Sequence, residues 1–288
     1  MALRDVRLTH PDKVLFPQDG LTKADLAAYY ESVADVMLVH LRDRPLNLWR
    51  WNAGIDGPRI VQQDIPKGAP DWVRRVQTPR RRGGSNCHVL AQDAATLRWL
   101  ANQNCITPHV WTARKDRLDR PDRLVFDLDP APATAFEVVR AAARAVAERL
   151  RDAGLEPFAM TSGSKGIHVV APLRRTRDSQ TVRDVAGQLG AEVAAAHPDT
   201  LTTEWRKEKR DGRILVDTAR NTYGQTVVAP YAVRALPGAP VATPLELHEL
   251  EDHDLSPQGW TVRTVGRRLE ERGDPWADIA GSARALPV

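Results

Sequence analysis

The sequence predicts an α+β fold organised around a mixed sheet. Three observations lead there. Short apolar runs such as Leu124-Val125-Phe126 and Ile214-Leu215-Val216 have strand length and end in aspartate. Longer segments carry apolar residues at helical spacing, as in Phe136, Val139, Ala143, Val146 and Leu150. The two kinds of segment follow each other without a strict βαβ rhythm, which argues against a doubly wound parallel sheet.

In chain order, Thr22 caps a helix expected from about Lys23 to Leu41, with Leu26, Tyr30, Val33, Met37 and Leu41 on one face. Leu46 to Trp51 and Ile60 to Gln63 read as strands around a Gly54–Pro58 turn. Thr78 to Asn86 has loop composition, with three arginines and two glycines at its tip, and Asp93 to Asn104 reads as helix. Pro130 cannot donate to a ladder and ends the strand that carries Asp127 and Asp129. Thr134-Ala135-Phe136-Glu137 has the pattern of a capping box, opening a helix to about Asp152 that Gly154 closes. Strands are expected at Phe158 to Met160, Ile167 to Ala171, Leu201 to Trp205, Arg213 to Asp217 and Thr226 to Ala229, with a helix from Asp178 to Ala196. Pro230, Pro237, Pro240 and Pro244 mark an irregular exit, and two short C-terminal helices are expected to pack back on the body.

The 288 residues, 42% hydrophobic and 27% charged, suit one large domain or two intimate ones with an ordinary core. Two cysteines exclude a disulfide framework and fit a reducing compartment. Met1 to Asp5 is polar and the apolar stretches are broken by Arg or Asp, so neither a signal peptide nor a membrane span is expected. A cytoplasmic protein is the expectation. The net charge of +4 is modest, but it is clustered: Arg74, Arg75, Arg80, Arg81 and Arg82 form one group. Arg206, Lys207, Lys209, Arg210 and Arg213 form another, diluted by Glu204, Glu208 and Asp211. Such clusters suit a polyanion, most commonly nucleic acid.

Chemistry concentrates in three segments. Side chains alternate along a strand, so Asp127 and Asp129 point to one side and offer the hard oxygen donors that magnesium or manganese prefer. Taken alone, a D-x-D is equally at home as two solvated aspartates. The second segment, Thr161-Ser162-Gly163-Ser164-Lys165-Gly166-Ile167-His168, brings hydroxyls, glycines, a lysine and a histidine together as phosphate-cradling turns do. It lacks Walker A spacing. The third, Ile214 to Asn221, again ends an apolar strand in an aspartate, Asp217, with Arg220 three residues on. Together they compose a two-metal nucleotidyl-transfer site.

In their order, FDLDP, SGSKGIHV, KEKRDGRILVDTARN and APYAVR resemble the polymerase domain of bacterial ligase D, in the archaeo-eukaryotic primase superfamily. The likeness begins at His10-Pro11-Asp12-Lys13-Val14-Leu15-Phe16-Pro17 and runs through Arg44-Pro45-Leu46, Pro66-Lys67-Gly68, Asp71-Trp72-Val73 and Pro108-His109-Val110-Trp111. The resemblance implies a primase-polymerase (RRM-like) central sheet flanked by helices, with a packed N-terminal α/β region. Within a single primase-polymerase domain spanning 1–288 it implies a DNA- and 5′-phosphate-binding part at about 1–115, a catalytic core at about 116–240 and a helical extension at about 241–288. No ligase or nuclease module is seen, so a stand-alone member is expected.

By the same resemblance, Asp127, Asp129 and Asp217 are catalytic metal ligands for two divalent cations, manganese or magnesium. Ser162, Lys165, His168 and Arg220 match residues on the incoming triphosphate, Arg234 matches a further triphosphate-side arginine, and His109 matches a histidine near the nucleotide sugar. Lys13 and Lys23 match lysines that hold the 5′-phosphate of a DNA end, Arg50 a basic residue near primer–template, and Arg80, Arg81 and Arg82 a DNA-contacting loop. The implied activity is extension of a primer 3′-hydroxyl with NTPs, ribonucleotides preferred over dNTPs, at gapped or 5′-phosphorylated broken DNA in non-homologous end joining or gap-filling repair. A Ku-type end binder and a separate DNA ligase are implied partners, and the nucleoid the implied place of work.

One departure stands out. The family carries an aromatic pair and then a basic pair before Pro66-Lys67-Gly68; here the run is Ile60-Val61-Gln62-Gln63-Asp64. The aromatic shelf for a template base is missing, and so are the cations; Trp49 and Trp51 lie near in sequence and could substitute. Two other readings compete: a non-catalytic DNA-end-binding module, and a haloacid-dehalogenase-type phosphatase, which also uses a strand-end D-x-D. Cys87-His88 and Cys105 with His109 lack paired zinc-knuckle spacing and are read as plain thiols.

Overall fold

The computed structural model describes residues 6–287; the polar Met1 to Asp5 stretch lies outside the described residues. The chain forms β1 (Val14–Phe16), β2 (Leu21–Thr22), α1 (Lys23–Ser32), α2 (Ala34–Leu41), β3 (Leu46–Arg50), β4 (Ile60–Gln62), β5 (Arg75–Pro79), β6 (Ser85–Val89), α3 (Ala94–Asn102) and β7 (Cys105–Trp111). It continues with β8 (Arg123–Asp129), α4 (Phe136–Asp152), β9 (Phe158–Thr161), β10 (Ile167–Pro172), α5 (Ser179–Ala196), β11 (Leu201–Thr202), β12 (Ile214–Asp217), β13 (Thr226–Val228), β14 (Pro244–Leu245) and α6 (Val265–Arg272). No helix among the described residues is long and apolar enough to cross a membrane.

Two compact units result. The first comprises the described residues up to Asp116 with Thr226–Ala242 and Trp260–Gly273; the second comprises Arg117–Gln225, Thr243–Gly259 and the described residues from Asp274 on. The stretch after 241 is therefore shared between the units.

The first unit is built on an antiparallel sheet in the order β13-β7-β3-β6-β5, with β4 also paired to β3. Every residue of β7 is buried, Pro108 included. The Pro108 carbonyl accepts from Ala229 N–H at 3.1 Å, so the strand keeps its acceptor although the ring removes a donor. The helix expected from Lys23 to Leu41 is two helices. Val33, at φ −101° and ψ 7°, leaves helical geometry between them while staying buried. The expected Thr78–Asn86 loop is the tip of a β5–β6 hairpin: Arg80 to Gly84 make the turn, with Gly83 and Gly84 at φ 89° and 74°, while Thr78, Pro79, Ser85 and Asn86 belong to the strands. Loop composition at the tip was read too far outward.

His88 in β6 has a buried imidazole between Thr78 Oγ1 (2.8 Å from Nδ1) and Asn47 Oδ1 (3.0 Å from Nε2). The Asn47 oxygen only accepts, so Nε2 carries the proton of the neutral ring, while Nδ1 faces the Thr78 hydroxyl, which also lies 3.4 Å from the Asn86 carbonyl. Burial pushes the imidazole from near 6.5 down to about 4. Its folded pKa is depressed, so the unfolded chain binds the extra proton first and stability falls as pH drops from about 6.5 through 4. This one group accounts for a loss of about 3 kcal/mol over that window. Denaturant titrations at pH 7 and pH 4.5 check it: His88→Asn is expected to flatten the difference, and an undiminished difference contradicts it.

The second unit holds a mixed sheet, order β11-β12-β8-β10-β9-β14, in which only the β11–β12 pair is parallel. Helices α4 and α5 pack on it. α4 buries Val139, Ala143, Val146 and Leu150, the valines and the leucine each contributing about 1.5–3 kcal/mol by removal from water. Gly190 of α5 comes up against Val216 and Phe126, so those side chains mark the helix-covered face. The capping box does not form. Ala135 occupies the N-cap without a side-chain bond, because Thr134 is committed to the turn after Pro130 through its N–H to the Ala131 carbonyl. Gly154, at φ 74°, closes the helix as expected. β11 is shorter than expected and leaves Trp205 outside it. Of the two C-terminal helices, Leu247–Glu251 is a 3-10 turn and only α6 is α-helical.

Candidate active site

Three antiparallel strands set the site. His168 of β10 lies opposite Asp127 of β8, and Asp127 lies opposite Asp217 of β12. Residues directly opposed across a ladder share a face, so the three side chains stand in one row, with Asp129 two residues along on the same face. This is the face away from Val216 and Phe126. The Arg220 Nε bridges the carboxylates at 3.4 Å from Asp127 and 3.3 Å from Asp217. His168 Nε2 stands 3.3 Å from the other Asp127 oxygen. The buried His168 Nδ1 has no hydrogen-bond partner among the described residues.

The local sequence fixes each piece. Asp217 Oδ1 accepts from Ala219 N–H at 2.8 Å, turning the chain sharply after β12. The buried Asn221 then donates to the Val125 carbonyl at 2.7 Å and accepts the Val125 N–H at 2.8 Å, tying that turn to β8 as a strand would. Arg220, between them, is thereby aimed at the carboxylates. In the 161–168 turn, Ser162 Oγ accepts from the N–H groups of Ser164 (3.3 Å) and Gly166 (3.1 Å), so its hydroxyl organises the loop. Lys165 at the tip is exposed and makes no ion pair among the described residues. Gly166 is obligatory: a Cβ there would lie 2.0 Å from the Leu128 carbonyl oxygen.

Sequence reasoning missed Arg210. It counted as one of a surface cluster, yet it is buried and its Nη1 stands 3.0 Å from Asp129, while Nε and Nη2 donate to the Glu204 and Trp205 carbonyls. Carboxylates, guanidinia and the exposed Trp205 line a cleft of about 550 Å³. Burial holds the Asp217 carboxyl above the usual range; Arg220 and the Ala219 N–H oppose this, and the charges of Asp127 and Asp129 add to it. The cleft thus sets carboxylates beside Arg206, Lys207, Arg210 and Arg220.

Among the described residues no three His, Cys, Asp or Glu side chains make a ready cation cage. Guanidinia stand on the carboxylate oxygens instead. The donor chemistry fits a hard divalent cation, since carboxylates from two neighbouring strands already share a single positive group.

In the first unit, Lys13, Lys23 and Arg50 come together. Lys23 is buried, donates to the Thr9 and Asn102 carbonyls at 2.7 and 3.2 Å, and has its pKa lowered by burial and then by the charges of Lys13 and Arg50. Lys13 donates to the Asn52 carbonyl, and Arg50 to Gln103 and Gln62. None of the three is ion-paired among the described residues. His109 and the half-buried Arg234 are also carried by the first unit. His109 stacks on Trp49 at 3.7 Å, and Arg59 sits 4.2 Å from the same indole. Arg80, Arg81 and Arg82 are exposed at the hairpin tip, Arg80 being held by Asn86 and, at 3.7 Å, by Asp64.

Residues 22–276 match the sequence profile of the LigD primase-polymerase domain. The chain belongs to the LigD primase-polymerase family. With that family comes the reaction class: the protein is a nucleotidyltransferase of the polymerase kind, which removes the phosphatase reading. It is 35% identical over 258 residues to the multifunctional non-homologous end joining protein LigD of Mycobacterium bovis, covering 87% of this chain and 34% of that one. Against the LigD of Pseudomonas aeruginosa it is 33% identical, over 99% of this chain and 34% of the relative. The chain therefore spans about a third of these relatives. Its fold superposes on the polymerase domain of Mycobacterium tuberculosis ligase D in complex with DNA with a TM-score of 0.89 at 33% identity, covering 97% of this chain and 99% of that one.

Where LigD polymerase domains have their aromatic pair, this member exposes Ile60 and Val61 on β4. Neither nearby tryptophan replaces the shelf. Trp49 is already engaged by His109 at 3.7 Å and by Arg59 at 4.2 Å, and Trp51 is buried.

Proposed function

We propose that the protein extends a primer 3′-hydroxyl at gapped or broken DNA by two-metal phosphoryl transfer, taking ribonucleotides in preference to deoxyribonucleotides. The observation that carries this is the row His168–Asp127–Asp217, with Asp129 on the same face, beside a glycine turn bearing Lys165. Asp127, Asp129 and Asp217 would hold two divalent cations, manganese or magnesium, which supply activation of the hydroxyl and charge neutralisation at the departing pyrophosphate. Arg220 lets go of the carboxylates and turns its guanidinium to the triphosphate, where Lys165 meets it from the loop tip. His168 holds the orientation of Asp127. The Ser162 hydroxyl keeps the loop amides in place.

A solved relative bound to DNA supports DNA as the substrate. The Lys13, Lys23 and Arg50 group supports a 5′-phosphate pocket, because three clustered cations without a carboxylate call for an anion. The end-joining relatives support work at broken DNA, for which a Ku-type end binder and a separate ligase would be the partners and the nucleoid the place.

The test is nucleotide incorporation on gapped, overhanging and single-stranded DNA with manganese, NTPs against dNTPs. Incorporation of NTPs on the gapped and overhanging substrates is expected; DNA binding without any incorporation makes the chain a passive end binder instead. On the same substrates, Lys13→Ala combined with Lys23→Met is expected to reduce the preference for 5′-phosphorylated ends about 10- to 100-fold, as loss of charge-assisted bonds to a phosphate does. An unchanged preference puts the pocket elsewhere.

A further inference from the structure

Trp205 is 61% exposed, the most exposed of the large apolar side chains described. It lines the cleft with Asp127, Asp129 and Asp217. Its segment is pinned rather than loose. Glu204 N–H donates to Thr202 Oγ1 at 3.0 Å, Arg206 N–H to Glu204 Oε1 at 2.9 Å, and the buried Arg210 donates to the Glu204 and Trp205 carbonyls at 3.1 and 2.9 Å. The same guanidinium stands on Asp129. A single side chain therefore fixes both a catalytic carboxylate and the backbone that presents the indole. No ring stacks on Trp205 among the described residues. An indole pinned in place and bare on its faces offers a flat surface on which a planar group can stack. The neighbours restrict that group to one attached to phosphate, for Arg206, Lys207 and Arg220 line the same cleft.

We propose that Trp205 is a stacking platform for a nucleobase held at the carboxylate cleft. This rests on the polymerase reading of the cleft. The base belongs either to the incoming nucleotide or to the primer end, and both present the same face to the indole.

The test uses the full chain labelled with 5-fluorotryptophan, the Trp205 resonance being assigned by Trp205→Phe, and titrated separately with an NTP, with primer–template DNA and with inorganic tripolyphosphate. A shift of that resonance with the NTP, or with the DNA, beyond any caused by tripolyphosphate supports the platform and names which base it holds. A tripolyphosphate shift equal to the NTP shift, with none from DNA, overturns it. In primer extension, Trp205→Ala is expected to raise KM for the corresponding ligand about 5- to 150-fold with kcat much less affected, and Trp205→Phe to restore most of the loss. Wild-type extension with Trp205→Ala at an unchanged KM refutes the platform alone. Failure of the wild type to extend at all refutes the polymerase reading beneath it.

Discussion

Asp127→Ala and Asp217→Ala are each expected to cut primer extension by about 10³-fold or more, the scale on which removing a group that stabilises transition-state charge is felt. The two carboxylates share one Arg220 guanidinium, at 3.4 and 3.3 Å. Neither has a neighbour placed to take over its role. Asp129 is already engaged by the buried Arg210 at 3.0 Å. The loss is expected without unfolding. Asp217 is buried and has two further carboxylates near it, so its charge is held at a cost to the fold, and Asp217→Asn is expected to keep Tm within a few degrees of wild type. Extension rates beside thermal melts separate the effects. A variant with near-normal extension ends the metal-ligand assignment.

Gly166→Ala is expected to act through the fold. Its Cβ would sit 2.0 Å from the Leu128 carbonyl oxygen and 3.2 Å from the Leu128 carbonyl carbon, both backbone atoms that no rotamer change moves away. Relief requires β10 and β8 to part where Ile167 faces Leu128, one residue from the His168–Asp127 pair. A loss of about 3 kcal/mol or more follows, seen as a fall in Tm of roughly 6–12 °C. Extension below the melting point is expected to fall as well, because Asp127 shifts relative to His168. An alanine variant with wild-type Tm and rate contradicts this tight approach.

How much of this was legible in the sequence differs between the units. In the second unit the periodicities were clean. The apolar runs before Asp127 and Asp217 are central strands, and α4 and α5 follow their expected boundaries closely. Strand alternation placed Asp127 and Asp129 together, but only the antiparallel register of β8 with β10 and β12 puts His168 and Asp217 in that row. Register is a pairing property and no single segment carries it. Arg210 and Asn221 were illegible for a related reason. A buried arginine that grips two carbonyls and a carboxylate has the same letter as a solvated one, and the Asn221 partner is 96 residues away. In the first unit, β7 was obscured by Pro108 in mid-strand, and the break at Val33 by an apolar spacing that runs straight through it. Thr134 offered the letters of a capping box while its backbone was taken by the preceding turn. The basic residues Lys13, Lys23 and Arg50 are scattered in sequence and meet only through the fold.

The account stands on Asp127 and Asp217 holding a cation where Arg220 now sits, and binding of Mn²⁺ followed by electron paramagnetic resonance without nucleotide, which would itself chelate the ion, tests this most directly. Wild type is expected to remove Mn²⁺ from the free signal stoichiometrically, and folded Asp127→Ala and Asp217→Ala proteins to leave it free. Mn²⁺ uptake by those variants equal to wild type would contradict the account.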